Sequence, residues 1–449
     1  MTNAFLFIGA KFLLLLFGAP AAYAPSVQQL GITARLATAY IAGHLVISVA
    51  AVAFSLMRIE MTMLTMAVPF AGFALACAIY LSRRRPVAIA PPGSDGTHAG
   101  ARFAQITTVT TLACVFVALL ATRATSADYL YFWGAKAARF AEVGRIDAAL
   151  LVTPHMIHLR GLYPPLVTIA HTWSALVAGE MLWVENLASA GGWLVVGTVI
   201  LHALLREKYG RATANGIIPF WTVAIGASLI DSFSGGSAEA PLVCFTTLGA
   251  ASLFLGGGVL TPLCFAAMVL TKVEGTMIAV LCIGAAMLAR RFAEPRPSMR
   301  QIVAAASSTA AAYLMWWGFQ RLEGLPTSDP MRQRVLDLDV SRFPAVIVTM
   351  MANMDAGTLG LSWIVALSVV VFCVGRWRIA FGPLLVSLSI VGFYAVYYLH
   401  ERRPLELVMG WEVPRITQPA LSLLVLAAGL ALHARPQEAE TAHDVLSAP

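Results

Sequence analysis

Val259 to Ala289 reads VLTPLCFAAMVLTKVEGTMIAVLCIGAAMLA, two uncharged apolar stretches with Thr271-Lys272-Val273-Glu274-Gly275 set between them. Both flanks are too dense in apolar residues for the half-exposed helices of a soluble domain, which keep a polar face. Charged side chains at the end of a membrane helix are costly unless they line a polar cavity, and they mark a functional site by default. The stretch therefore bears on two questions. It points to a helical membrane protein, and it supplies the first candidate site residues, Lys272 and Glu274.

The same pattern runs outward through the chain. Of its 449 residues, 59% are hydrophobic and only 12% charged, against about 25% charged in an ordinary soluble domain. Mean hydropathy is +0.77. Apolar runs recur at lengths that cross a hydrocarbon layer of about 30 Å, giving about 13 expected crossings in one polytopic domain. The first run, from Ala4 to Ala24, holds Lys11, lacks a basic start and carries Pro20, so it reads as a retained helix. The net charge of +7 comes from clusters in short loops: Arg83-Arg84-Arg85, Arg206/Lys208/Arg211, Arg290-Arg291 with Arg296 and Arg300, and Arg376/Arg378. That is the positive-inside pattern of cytoplasmic loops, not a nucleic-acid surface. All six cysteines fall inside apolar runs without CxxC or CxxH spacing, so neither zinc nor a disulfide framework is expected.

Traced from the basic loops, helices near 36–57 and 61–82 precede a linker, Pro91-Pro92-Gly93-Ser94-Asp95-Gly96. A span near 104–122 exits to a long outer loop, Arg123 to Tyr163. The stretch 166–183 is expected to lie in the interface or re-enter, leaving 186–204 as the one true span there. Later helices are expected near 212–230, 240–256, 259–271, 276–289, 301–319, 345–374, 379–399 and 416–433. Segments 231–239, 272–275, 320–342 and 400–415 then share the outer face. The expected division is an accessory N-terminal unit at 1–103, a catalytic membrane module at 104–433, and a disordered cytoplasmic tail at 434–449.

Within this frame, polar segments supply the chemistry. Tyr129, Trp133, Lys136 and Phe140 follow i, i+4, i+7, i+11 spacing, an amphipathic stripe suited to the headgroup layer. Asp128 opens that helix and reads either as its N-cap or as a general base. Tyr163-Pro164-Pro165-Leu166 reads as a helix start. Glu239, in the polar turn before Pro241, either caps the next helix or faces a cavity. Lys272 and Glu274 form a self-neutralising pair, or Lys272 holds phosphate. Arg402, Arg403 and Arg415 lie at the membrane boundary, where lipid-phosphate binding and headgroup anchoring are both open. No HExxH or clustered-carboxylate pattern appears, so no catalytic metal is expected.

In their order, Asp128, the Tyr-Phe-Trp-Gly-Ala-Lys-Ala run, Tyr163-Pro164-Pro165-Leu166, Thr271-Lys272-Val273-Glu274-Gly275 and Arg415 resemble a GT-C-type membrane glycosyltransferase. The resemblance is to the bacterial branch related to protein O-mannosyltransferases and lipid A aminoarabinose transferases. It implies a GT-C-like bundle with interfacial helices on the first outer loop. It also implies a polyprenyl-phosphate-sugar donor and a glycan, glycolipid or protein acceptor. Catalysis would take place on the outer face of the inner (plasma) membrane. Carried over, Asp128 becomes the general base, and Lys272 and Arg415 hold the lipid phosphate, with Arg402 and Arg403 beside them. Tyr129, Tyr131, Trp133, Lys136, Tyr163, Glu239 and Glu274 line the substrate pocket. No cofactor is implied, and a divalent cation stays an open alternative. Many relatives pair two acids on the first loop, whereas Ala127 precedes Asp128 here.

Two other classes fit parts of the pattern. A transporter or lipid flippase would use the same Lys and Glu for coupling, though its charges would gather near the midplane. A membrane assembly subunit would use the aromatic loop for docking and tolerate loss of charge at Asp128 and Lys272.

Overall fold

The computed structural model describes residues 2–82, 98–121, 127–153, 159, 161–232, 235–327, 339–354, 360–372, 377–401 and 403–433. The expected linker at 91–96 and the tail from 434 lie outside the described residues. The first helices are α1 (Thr2–Ala22), α2 (Pro25–Gln28), α3 (Ile32–Leu56), α4 (Met63–Ser82) and α5 (His98–Ala121). A π-helical turn, Tyr129–Trp133, leads into α6 (Gly134–Val143), followed by α7 (Ala148–Val152), α8 (Leu166–Ala178) and α9 (Ser189–Asp231). Next come α10 (Glu239–Leu255), α11 (Leu260–Thr271), α12 (Val273–Ala289), α13 (Met299–Leu322) and α14 (Phe343–Met354). The last are α15 (Gly360–Phe372), α16 (Trp377–Tyr398), α17 (Leu405–Ile416) and α18 (Gln418–His433). No strand occurs among the described residues.

Six helical stretches are long and apolar enough to cross a membrane: Thr2–Ala22, Ile32–Leu56, Gly100–Ala121, Glu185–Ile230, Met299–Leu322 and Trp377–Tyr398. Their outward faces are apolar too. Phe5, Ile8 and Phe12 on α1, and Phe103, Ile106, Val109 and Val117 on α5, are all exposed. Such contiguous apolar surface is unfavourable in water and neutral in hydrocarbon. Inside, helices touch through glycine. A Cβ on Gly18 would lie 1.8 Å from the Ala39 carbonyl oxygen, and one on Gly43 2.0 Å from that of Leu14. Small residues let α1 and α3 meet backbone to backbone, the usual packing device where lipid supplies no hydrophobic drive.

Gly210, at φ +85°, breaks α9 into two helices at the basic stretch Arg206–Arg211, where the sequence pattern places the boundary. Of the run 345–374, the described residues form α14 and α15, and residues 355–359 and 373–374 lie outside the described residues. The stretch 166–183 needs a correction. Its helix, α8, has 13 residues, about 20 Å, and Leu166 to Ala175 are all buried. The helix is therefore packed inside the protein and not laid on its outer surface. Its two flanks both approach Tyr129 or the aromatics beside it. Trp183 touches Tyr129 edge-on, and Tyr163 touches Trp133. The helix enters and leaves at one end of the bundle.

Packing between the N-terminal helices and the rest is direct. Trp173 Nε1 donates to the Ala10 carbonyl at 3.0 Å, and Lys11 Nζ to Ser174 Oγ at 3.3 Å. One buried apolar cluster runs from Ala10 through Leu430.

The two ends of the bundle differ in chemistry. At one end, the Glu294 N–H donates to the Arg378 carbonyl. Thr213 Oγ1 donates to that of His433, beside the Arg206–Arg211 break. Phe254, Glu294, Ile379 and Leu430 share a small cleft there. Among the described residues, the basic stretches at 206–211 and 290–300 and Arg378 therefore gather together. At the opposite end, the start of α10, the α11–α12 junction, the end of α16 and the end of α17 surround a much larger cavity.

Candidate functional site

The break between α11 and α12 is a single extended residue, Lys272, at φ −154° and ψ 155°. Gly275 permits that turn, because a Cβ there would lie 1.9 Å from the Met268 carbonyl oxygen. Lys272 is thereby pointed away from both helix ladders. Its ammonium lies 3.3 Å from Glu239 and 3.8 Å from Glu274. Glu239 comes from the first turn of α10 and is 3% exposed. It also accepts from Arg415 at 2.5 Å, and the same guanidinium nitrogen, Nη2, donates to Asp128. The result is a chain of alternating charge: Asp128, Arg415, Glu239, Lys272, Glu274. Three carboxylates alternate with two cations, and both ends are acidic.

These groups line a cavity of about 610 Å³, within the range of small-molecule sites. Tyr131, Phe132, Trp133 and Tyr163 form one aromatic side, and Phe393, Tyr394, Tyr397 and His400 another, with Glu412 and Met277 also exposed to it. Tyr163 is held from behind. Trp316 Nε1 donates to the Leu162 carbonyl at 3.0 Å, and Gln320 Nε2 donates to Gly161 and Leu162 at 3.4 Å.

Several sequence expectations change here. Asp128 is helical, at φ −60° and ψ −38°, and makes no capping bond, so the cap reading gives way to the ion pair with Arg415. Glu239 makes no cap either. The Tyr129/Trp133/Lys136/Phe140 stripe is buried in the protein, not laid in the headgroup layer. The periodicity shows that these residues share a face but not which side that face packs against. Tyr129 does not line the cavity. It packs edge-on to His171 and Trp183. Lys136 lies behind the wall, 2% exposed, 3.9 Å from the Phe132 ring centre and 4.7 Å from that of Trp133. Tyr131, 70% exposed, stands on the cavity rim beside Phe132 and Trp133.

Arg403 does not line the cavity. Its Nε and Nη2 donate to the two oxygens of Glu401 at 2.8 and 2.7 Å. That bidentate bond raises its pKa above the ordinary arginine value. Arg402, His155 and His158 lie outside the described residues. Glu412 accepts from the Tyr398 hydroxyl at 3.1 Å. The α16 wall is not legible in the sequence, because its signal, the cluster Phe393-Tyr394-Ala395-Val396-Tyr397-Tyr398, fits membrane-end anchoring equally well. Among the described residues no group of three or more His, Cys, Asp or Glu side chains is placed to hold a metal ion.

Compared with protein-family models, with curated proteins and with solved structures, the chain finds no match.

Proposed function

We propose that this cavity is the active site of a membrane glycosyltransferase that moves a sugar from a polyprenyl-phosphate carrier to a hydroxyl on a glycan, glycolipid or protein. One observation carries the reading. Asp128, Glu239, Lys272, Glu274 and Arg415, distant in sequence, line one cavity at the end of the bundle away from the basic loops. Intramembrane charge concentrated at one end suits chemistry at a membrane face. A transport route would place it near the midplane.

In the proposed reaction the acceptor oxygen attacks the anomeric carbon while Asp128 takes its proton, a contribution of about 10²–10⁴-fold. The bond from that carbon to the phosphate oxygen breaks, and the lipid phosphate leaves with the electron pair. Arg415 and Lys272, already fixed by their carboxylate partners, would stabilise the developing charge without reorganisation. A phosphate arriving at Arg415 competes with Asp128 for the same donors, so donor binding would free the base. The carrier's own phosphate ester bond supplies the driving force.

The finer architecture belongs to the same proposal. The six long helices, supplemented by shorter apolar ones, would make about 13 crossings of a GT-C-type bundle. The basic loops would face the cytoplasm and the cavity the periplasm or exterior. Mass spectrometry of envelope glycans from cells with the protein, without it, and with Asp128→Asn tests the function. A sugar missing in the second and third strains is the expected result; identical glycans in all three would remove the glycosyltransferase reading.

A further inference from the structure

Two cavity-lining side chains each carry a buried polar atom without a hydrogen-bond partner among the described residues. Glu274 Oε1 faces Lys272 at 3.8 Å, while Glu274 Oε2 and His400 Nδ1 find no hydrogen-bond partner among the described residues. Both residues line the cavity. Buried polar atoms are paired as a rule, so two unpaired ones in side chains of a cavity wall call for an explanation.

The surrounding wall narrows the choice of ligand. Phe393 and Tyr397, one turn apart at the end of α16, and His400, in the turn that follows the helix, line the same side of the cavity. Tyr394 adds a third ring on the same side. The Glu274 side chain is 19% exposed and lines the cavity; an ionised carboxylate only accepts hydrogen bonds, so a ligand meeting it there must bring a donor. A phosphodiester has no proton to give and would be repelled. A prenyl chain has no polar hydrogen at all. Hydroxyl groups on a ring with apolar C–H faces meet every requirement: they donate to Glu274, they pair with His400 in either tautomer, and the ring lies against the aromatics.

We infer that the α16 side of the cavity is a sugar-reading subsite, separate from the Arg415–Lys272 phosphate position, in which Glu274 and His400 discriminate between sugars through their hydroxyl groups. The inference rests on the proposed function and assigns the donor's two parts to two walls. Phosphate goes to Arg415 and Lys272, and sugar to the α16 wall together with Glu274, the end of the charged chain next to it. A site built to bond a hydroxyl rejects an analogue lacking it strongly, because the protein's own polar atom is then left unpaired.

The test uses the full-length protein in lipid nanodiscs. Its probes are a short prenyl phosphate without sugar and the same prenyl phosphate carrying glucose, mannose, arabinose or N-acetylglucosamine. The quantity read is the ratio of affinities, sugar-bearing over bare. In the wild type this ratio is expected to reach about tenfold or more for at least one sugar. Glu274→Gln and His400→Ala should each bring it down toward one, while His400→Asn, which keeps a hydrogen-bonding group, should retain part of it. Size-exclusion profiles show whether each variant is folded, and the wild-type ratio alone decides if one is not. A ratio near one for every sugar in the wild type, or a ratio unchanged in the folded variants, overturns the subsite while leaving the lipid-phosphate reading in place. Failure of all the probes to bind, the bare prenyl phosphate included, overturns both.

Discussion

Asp128 and Arg415 lie 287 positions apart in the chain and form an ion pair at the cavity wall, in which Arg415 is shared with the buried Glu239. The pair gives Asp128 two states, engaged with Arg415 or free to take a proton. Removing its charge should then act on binding and turnover in opposite directions. Asp128→Asn takes away a carboxylate that competes with phosphate for Arg415, and Asp128 is 44% exposed. Prenyl-phosphate binding should tighten by about two- to fivefold, the scale of a half-exposed ion pair, while sugar transfer falls by about 10²-fold or more. Titration with prenyl phosphate and a single-turnover transfer assay read the two effects separately. Weaker binding together with weaker transfer would mean that Asp128 only scaffolds the site.

Arg415→Ala should do the reverse at the binding step. Asp128 loses its partner, Glu239 loses one of its two cations, and the phosphate loses a fork of donors that a lysine cannot imitate. Donor affinity is expected to fall by about tenfold or more, the scale of a charge-assisted hydrogen bond. Unchanged affinity would assign Arg415 to holding Asp128 and Glu239 together and nothing further.

Glu239 is the bridge between the two cations, and its 3% exposure makes the bridge a stability element. Glu239→Gln leaves Arg415 and Lys272 facing each other with no shared counter-charge. The expected cost is about 3 kcal/mol, at the lower end for breaking a buried pair. Glu294→Gln supplies the contrast, since the Arg378–Glu294 pair is 61% exposed on both partners and should cost at most about 0.5 kcal/mol. Thermal unfolding in detergent compares them, and equal midpoints would show that the Glu239 bridge adds no stability.

How much of this site could be read from the sequence follows from where each group lies. Lys272, Glu274 and Arg415 stand out because charge in an apolar context is rare and therefore informative. Asp128 stands out for the same reason, but its local setting suggested a cap, and only the distant Arg415 decides otherwise. Glu239 had no local signal separating a helix-start carboxylate from a bridge between two cations. Arg403 looks like Arg415 in sequence, yet its neighbour Glu401 engages its guanidinium fork. Tyr129 and Lys136 show the limit of periodicity, which groups residues on a face without telling lipid from protein. The α16 aromatics were hidden because rings at the end of a membrane helix serve equally well as anchors.

Gly275 tests whether the α11–α12 turn positions Lys272. Its Cβ would fall 1.9 Å from a backbone oxygen that cannot rotate away. Gly275→Ala should cost about 1–3 kcal/mol, as overpacking does, and should weaken prenyl-phosphate binding with it. Gly284, further along α12, has nothing within 4 Å of its Cβ position, so Gly284→Ala should be neutral or stabilise by about 0.5–1 kcal/mol. Equal behaviour of the two variants would remove the turn from the account of Lys272.

Orientation is open to a direct measurement, because the basic loops and the cavity lie at opposite ends of α10, α12 and α16. Tyr131 and Leu407 are 70% and 66% exposed on the cavity side, and Arg291 and Arg378 are exposed at the basic end. In a background with the exposed Cys114 replaced by serine, a charged maleimide should label Tyr131→Cys and Leu407→Cys in intact cells. It should label Arg291→Cys and Arg378→Cys only after permeabilisation. The physical basis is the cost of translocating basic loops, which holds them on the cytoplasmic side. Labelling in the opposite sense would put the cavity in the cytoplasm, where a lipid-linked donor and an external acceptor could not meet, and the proposed reaction would fall with it.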